Sequence, residues 1–280
     1  MRRGSVDLGG GRDGFLATAG IDAAGSAYAT QSASAGRWYA AQPCAEPSRQ
    51  HWFLGAGGSR LHGSTLTVAN PRSGDAIFDI RVFGPKGELD VPGLRGLSVR
   101  KKAQHFDLTE VAPSTDDLAV SVTAVRGLVA ASMVDEWVPT ATAKRLTEFL
   151  PAQAEAGTDL VLGGLPDKPK RATISVLNTG ENATVVDLRL IGRQGTFEAR
   201  KSSTVTAPPG QLVTVPVPSA GSQGASGVRL TSSEPVIARR PATTSSVARC
   251  SGRSATVRWS ACPRVPRAPC ACSTPTVMHP

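Results

Sequence analysis

Four histidines, His51, His62, His105 and His279, are the side chains of this 280-residue sequence best suited to proton transfer or metal ligation near neutral pH. No two stand at the short helical separations with which paired histidines chelate a metal. His105 lies in the alternating segment Gln104-His-Phe-Asp-Leu108, where an outward strand position accounts for it. Catalysis there would need two carboxylates gathered around the ring. Nucleophilic hydrolysis calls for a Gly-x-Ser-x-Gly elbow followed by an acid and a histidine, and no such pentapeptide occurs. Cys250, Cys262, Cys270 and Cys272 crowd the C-terminal segment without the paired spacing of a zinc site, and Cys44 stands alone in the rest. No metal, no cofactor and no disulfide framework is expected.

The other polar motifs read as framework. Asp116-Asp117 precedes a strand and is turn chemistry, because Asp side chains bond nearby backbone amides. Asp79 and Arg81, and again Asp187 and Arg189, share a strand face and are expected to form solvated ion pairs. Gly55-Ala-Gly-Gly58 and Gly163-Gly164 follow short apolar strands but lack the Lys-Ser/Thr and the helix of a phosphate loop, so they read as turns. Asn182-Ala-Thr184 matches a glycosylation acceptor, a pattern that carries weight only on a eukaryotic secretory route. Catalytic, cofactor-binding and metal residues are expected to be none, and the chain is read as not an enzyme.

Charge excludes a further class. The net charge is +9, from 31 basic and 22 acidic residues, but Arg239, Arg240, Arg249, Arg253, Arg258, Arg264 and Arg267 lie in an acid-free stretch at the C-terminus. The remaining chain is nearly balanced and shows no concentrated basic face with interleaved aromatics, so no nucleic-acid partner is expected.

The elements that must position these residues are strands. Gly and Pro are frequent, aromatics are only 5%, and short Val, Leu and Ala runs alternate with turn residues. Shifting the sequence by 108 positions lays Thr65-Leu-Thr-Val-Ala-Asn70 over Thr173-Ile-Ser-Val-Leu-Asn178. Asp79-Ile-Arg81-Val-Phe-Gly84-Pro-Lys-Gly87 then falls on Asp187-Leu-Arg189-Leu-Ile-Gly192-Arg-Gln-Gly195, and Leu54-Gly55 on Leu162-Gly163. Val120, Thr123, Leu128, Val129 and Ala130 fall on Val228, Thr231, Val236, Ile237 and Ala238. Phe78, Ile80 and Val82, like Val186, Leu188 and Leu190, occupy alternate positions and share one strand face, closed by a Gly-x-x-Gly turn. Later strands are expected at Leu97-Ser-Val99, Phe106-Asp-Leu108, Val205-Thr-Ala207 and 212–215. A hairpin about Arg126-Gly127 is expected to join 118–125 to 128–134, with Glu234-Pro235 making the corresponding turn. The fold class is therefore all-β, with two tandem immunoglobulin-like β-sandwich domains at 49–150 and 151–245. Between them, 137–157 is expected to be a helical turn or an extended linker whose Leu146, Phe149 and Leu150 pack at the junction.

The ends differ in character. Residues 1–48 are rich in Ala, Gly and Ser, and Ser26-Ala-Tyr28-Ala-Thr and Arg37-Trp38-Tyr39-Ala read as strands left from a preceding domain. Residues 246–280 are Arg/Pro/Cys-rich, resemble a GC-rich gene read out of frame, and are expected to be disordered. No stretch has the roughly 20 apolar residues of a membrane span, and no hydrophobic segment follows the opening Met-Arg-Arg to make a signal peptide.

Cys44-Ala-Glu-Pro47, Trp52-Phe-Leu-Gly55, Ala69-Asn70-Pro71 and the second strand ending at Asn178 resemble an uncharacterised actinobacterial family of secreted or membrane-anchored proteins, a domain of unknown function. The resemblance covers about residues 14–245. It implies an extracytoplasmic place behind an N-terminal membrane anchor and no established activity. This chain departs from the family at both ends, lacking the anchor and the usual closing strands. The expected role is a non-catalytic envelope protein whose sandwiches present loops to a protein or a cell-wall polymer. A carbohydrate-binding module is the alternative, and it needs an exposed aromatic platform from Trp38, Tyr39, Trp52 or Trp137.

Overall fold

In a computed structural model the described residues are 30–35, 38–43, 47–70, 74–100, 103–138, 145–153, 155–163, 165, 172–198, 204–217 and 224–239. Cys44, the other cysteines, His279 and the expected disordered tail lie outside them. Among the described residues the chain is nearly all antiparallel β, and no helix is long and apolar enough to cross a membrane.

A hairpin of β1 (Thr30–Ala35) and β2 (Trp38–Pro43) comes first. The next strands are β3 (Gln50–Ala56), β4 (His62–Ala69), β5 (Ala76–Gly84), β6 (Gly87–Leu89), β7 (Leu97–Val99) and β8 (Ala103–Asp107). The one-turn helix α1 (Leu108–Val111), β9 (Leu118–Arg126), β10 (Ala130–Trp137) and β11 (Leu146–Leu150) follow. They make two sheets, β3-β9-β5-β6 with β7 on β5, and β11-β10-β4-β8. Alternation puts Phe53, Phe78, Ile80, Val120 and Val122 of one sheet and Leu66, Val68 and Met133 of the other into a single buried cluster. Each such side chain contributes about 1.5–3 kcal/mol on burial.

The second half contains β12 (Gly157–Gly163), β13 (Ala172–Asn178), β14 (Thr184–Gly192), β15 (Gly195–Phe197), β16 (Thr204–Ala207), β17 (Leu212–Val217) and the 13-residue β18 (Gly227–Arg239). The first part of β18 pairs with β14 and β12 and its end pairs with β13, so one long strand joins all seven into one sheet. A second buried cluster, with Ile174, Val176, Leu188, Leu190, Val228 and Leu230, lies inside its folds.

The two halves share pairing registers. Asp79 faces Thr123 and Val82 faces Val120, while 108 residues on Asp187 faces Thr231 and Leu190 faces Val228. Gly84 pairs with Gly87 and Gly192 with Gly195, and the second glycine of each turn has φ near +116° or +117°, where a side chain would be strained. The correspondence slips at the first strand: Val120 faces Phe53 whereas Val228 faces Leu162, which puts the match of Leu54-Gly55 to Leu162-Gly163 one residue out of register. Bulges in β3 and β12 absorb the difference.

Four expectations are corrected. The expected hairpin about Arg126-Gly127 is a crossover, since β9 and β10 belong to different sheets and the chain turns between layers at Gly127, φ 81°. Glu234-Pro235 makes no turn, because β18 runs straight through it. Aliphatic alternation on either side of a glycine looks the same whether two segments pair or face one core from opposite layers. Residues 146–150 of the expected linker are strand β11, paired with β10 from Met133↔Leu150 to Trp137↔Leu146. The strand expected at Phe106-Asp-Leu108 stops at Asp107, whose Oδ1 accepts from Thr109 N at 2.8 Å and caps α1.

A third cluster joins the halves. Trp52 and Leu54 of β3, Phe83 of β5 and Ala119 of β9 meet Leu177 of β13, Leu212 of β17 and Ile237 of β18.

Candidate functional site

Strand β10 buries Ala131 and Met133 on its core face, and the next residue on that face is Asp135, only 3% exposed. A carboxylate taken out of water requires partners, and the flanking strands supply them. Ser64 of β4 and Glu148 of β11 stand directly across from Asp135, and His62 and Trp137 are opposed one position along the face. Ser64 Oγ donates to Asp135 Oδ1 at 2.5 Å, and His62 Nε2 lies 3.0 and 3.1 Å from the two carboxylate oxygens. The other ring nitrogen, Nδ1, is 3.7 Å from Asp116 Oδ1.

The loop ahead of β4 sets the ring. Ser59 and His62 exchange backbone hydrogen bonds, Gly57 N donates to Ser64 Oγ, and Gly58 N donates to Thr115 O. Gly57 and Gly58 are close-approach positions: a Cβ would come within 2.4 Å of the His62 ring at Gly57 and within 2.1 Å of Ala112 O at Gly58. Burial alone would lower the His62 pKa, but the hydrogen bond and charge of Asp135, with the charges of Asp116 and Asp117, outweigh it and raise the pKa.

The cluster continues into the junction. Arg239 Nη2 donates to Glu148 Oε1 at 2.7 Å and Nη1 to Leu54 O at 2.9 Å, with the two side chains 10% and 18% exposed. Gly55, φ 78°, makes the room: a Cβ there would lie 2.4 Å from Arg239 Nη1. Burial pushes the Glu148 carboxyl up, and the neighbouring Asp135 adds to this, against the opposing pull of Arg239.

Chemically this is a Ser, His and Asp cluster without the wiring of a nucleophile. The serine hydroxyl donates to the carboxylate, not to the imidazole, so the ring is not placed to take the serine proton. Among the described residues no three His, Cys, Asp or Glu side chains are placed to hold a metal.

The residues singled out in the sequence fall elsewhere. His105 is exposed on β8, its Nδ1 3.0 Å from Thr67 Oγ1. His51 is buried with Nε2 2.8 Å from Val129 O, and burial outweighs that bond to lower its pKa. Arg81 does not pair with Asp79: it forms a bidentate contact with Glu88, which Arg95 also reaches at 2.8 Å, beside an open hollow of about 360 Å³. Asp79 instead accepts from Gly96 N at 2.7 Å, while Arg189 and Asp187 do pair, at 3.3 Å. Asp116 serves His62, and Gly55 lies at a bulge inside β3 instead of a turn. Thr184 of the Asn-Ala-Thr pattern is buried, its Oγ1 accepting from Ser233 N and Glu234 N. Trp52 is buried in the junction and Trp137 is half-buried, which removes Trp52 from any aromatic platform. The side chains of Trp38 and Tyr39 lie outside the described residues.

His62 and Asp135 are 73 residues apart, so no local spacing couples them. One signal lies in the sequence: Asp135 falls in the same strand phase as Ala131 and Met133, where an apolar residue is expected.

Residues 15–256 match a family of unknown function, DUF5719. No curated protein and no solved structure matches the chain. With most of its length matched, the chain belongs to the DUF5719 family of unknown function.

Proposed function

We infer that the chain is a tandem pair of immunoglobulin-like sandwiches serving as a rigid, non-catalytic interaction module of the extracytoplasmic envelope. The observation that carries this reading is the junction, where Trp52, Leu54, Phe83 and Ala119 bury against Leu177, Leu212 and Ile237. Beside it, Arg239 ties β18 to β3 and β11. A junction of this kind holds two sandwiches at one angle, which suits presentation of loops on a fixed frame. Shared registers 108 residues apart support the tandem reading, and the Ser64, Asp135 and His62 wiring supports a role without nucleophilic chemistry. The envelope location rests on the resemblance of Cys44-Ala-Glu-Pro47 and Trp52-Phe-Leu-Gly55 to secreted or anchored proteins. The partner class is a protein or a cell-wall polymer.

Fractionation of producing cells, with protease treatment of intact cells, tests the location. The protein is expected in the envelope fraction and cleaved from outside, and recovery only in the protected cytosolic fraction would overturn the reading. Co-sedimentation with isolated cell-wall polymer then separates the two partner classes.

A further inference from the structure

We propose that His62 is a protonation-controlled latch that fastens the loop at residues 57–63 to strand β10 when charged and loosens it when neutral. This goes beyond the proposed role as an interaction module and stands independently of it. The loop is an exposed tip held at its base. Its apex carries Arg60 and Leu61, Leu61 being 60% exposed, while its base is secured by His62 on Asp135. Its other ties are the pairing of His62 and Gly63 with Trp137 and Glu136 of β10, and hydrogen bonds from Gly57 N to Ser64 Oγ, between Gly58 and both Thr115 and Ser114, from Val138 N to Leu61 O and from Arg145 Nη2 to Arg60 O.

Acids face the ring from two elements. Asp135 faces Nε2 from β10, and Asp116 faces Nδ1 from the segment ahead of β9, with Asp117 beside it. Glu148 of β11 lies next to Asp135 and is balanced by Arg239 of β18, while Glu136 is balanced by Arg145, 3.6 Å away, whose Nη2 also reaches Arg60 O. Among the described residues, His62 is the basic side chain that contacts both Asp135 and Asp116. A charged imidazole offers a donor at each nitrogen, whereas a neutral ring offers one. Losing the proton therefore removes both the compensating charge and a donor from the loop base. The ring remains 24% exposed, so the proton can exchange with solvent without unfolding. Because the folded pKa is raised, the latch is fully engaged below the unfolded value of 6.5 and is lost as pH rises through the folded value.

The test uses the full chain, with histidine ring resonances titrated by NMR and amide hydrogen exchange followed at residues 57–63 under acidic and alkaline conditions, corrected for intrinsic rates. The His62 resonance, identified by its loss in His62→Gln, is expected to titrate with a midpoint above the ordinary imidazole value. Loop protection is expected to fall several-fold on the alkaline side, and His62→Gln to erase that dependence. Should His62→Gln fail to fold, Asp116→Asn supplies the control and is expected to lower the midpoint. A midpoint at or below the ordinary value, equal protection under both conditions, a dependence that survives in His62→Gln, or an unmoved midpoint in Asp116→Asn each overturns the proposal.

Discussion

Arg239 and Glu148, 91 residues apart, meet at 2.7 Å where the two halves join, and the same guanidinium donates to Leu54 O. One side chain at the end of β18 thus bonds two strands of the other half. Its pairing is sheltered from solvent, so it is not equivalent to the exposed Arg81–Glu88 or Arg229–Asp159 pairs, for which screening leaves little net contribution.

Arg239→Ala is expected to destabilise the protein by about 2–4 kcal/mol, because it strands a sheltered carboxylate and an unbonded Leu54 carbonyl. Glu148→Gln removes the charge but keeps a hydrogen-bonding group opposite Arg239, and is expected to cost less, about 1–2 kcal/mol. Guanidinium unfolding of the two variants checks the order; a Glu148→Gln variant less stable than Arg239→Ala would contradict it.

Gly55→Ala probes the same place from the other side. The substitution incurs strain at φ 78° and drives a methyl group into Arg239 Nη1, for a combined cost of about 2–4 kcal/mol. In the double variant with Arg239→Ala the collision disappears and only the backbone strain remains. The two effects are therefore expected to sum to more than the measured double, by about 1 kcal/mol or more, in a double-mutant cycle.

Asn70 and Asn178 act as matching staples. Asn70 Nδ2 donates to Gly74 O and Val99 O, four and 29 residues on, and Asn178 Nδ2 donates to Asn182 O and Ala207 O at the same separations. The bonds of Asn178 are both 2.8 Å, whereas the second bond of Asn70 is 3.4 Å. Truncation strips the buried Val99 or Ala207 carbonyl of its Asn donor at a cost of about 1–3 kcal/mol, with Asn178→Ala expected at the upper end and Asn70→Ala at the lower. Thermal unfolding of both variants measures the difference, and equal losses would show that the weaker bond counts as much as the stronger.

The staples also show what could be read from residues alone. Asn70 and Asn178 stood out because strand alternation and turn residues are local, and Phe78, Ile80 and Val82 point inward as their spacing requires. Which strands share a sheet is a non-local property. The 118–125 and 128–134 segments carry hairpin-like patterns on either side of a glycine, yet they face one core from two layers. Residues 146–150 suit a helical turn or an extended linker, since Leu146, Phe149 and Leu150 would share one helix face, but pairing with β10 supplies backbone partners that no local propensity reveals. The polar cluster was illegible for the same reason. His62, Ser64, Asp116, Asp135, Glu148 and Arg239 converge only through strand pairing and the junction, whereas the strand pattern around His105 places that ring in solvent.

His51 and His62 pull the stability of the same half in opposite directions over one pH range. The folded pKa of His51 is lowered, so its contribution is present above the unfolded value of 6.5 and is lost as pH falls through the folded one. The folded pKa of His62 is raised, so its contribution is present below 6.5 and is lost as pH climbs. Glu148, also raised, acts in the same sense as His62, from its unfolded value of 4.5 upward. His51→Gln, which can still donate to Val129 O, leaves His62 and Glu148 acting in one sense and is expected to gain stability steadily as pH falls from about 8.5 to about 5. In His62→Gln the buried His51 dominates the range above about 6, and stability is expected to decline on acidification there. Denaturant midpoints across that series read the two slopes, and slopes of the same sign in both variants would mean that the two rings do not titrate in opposition.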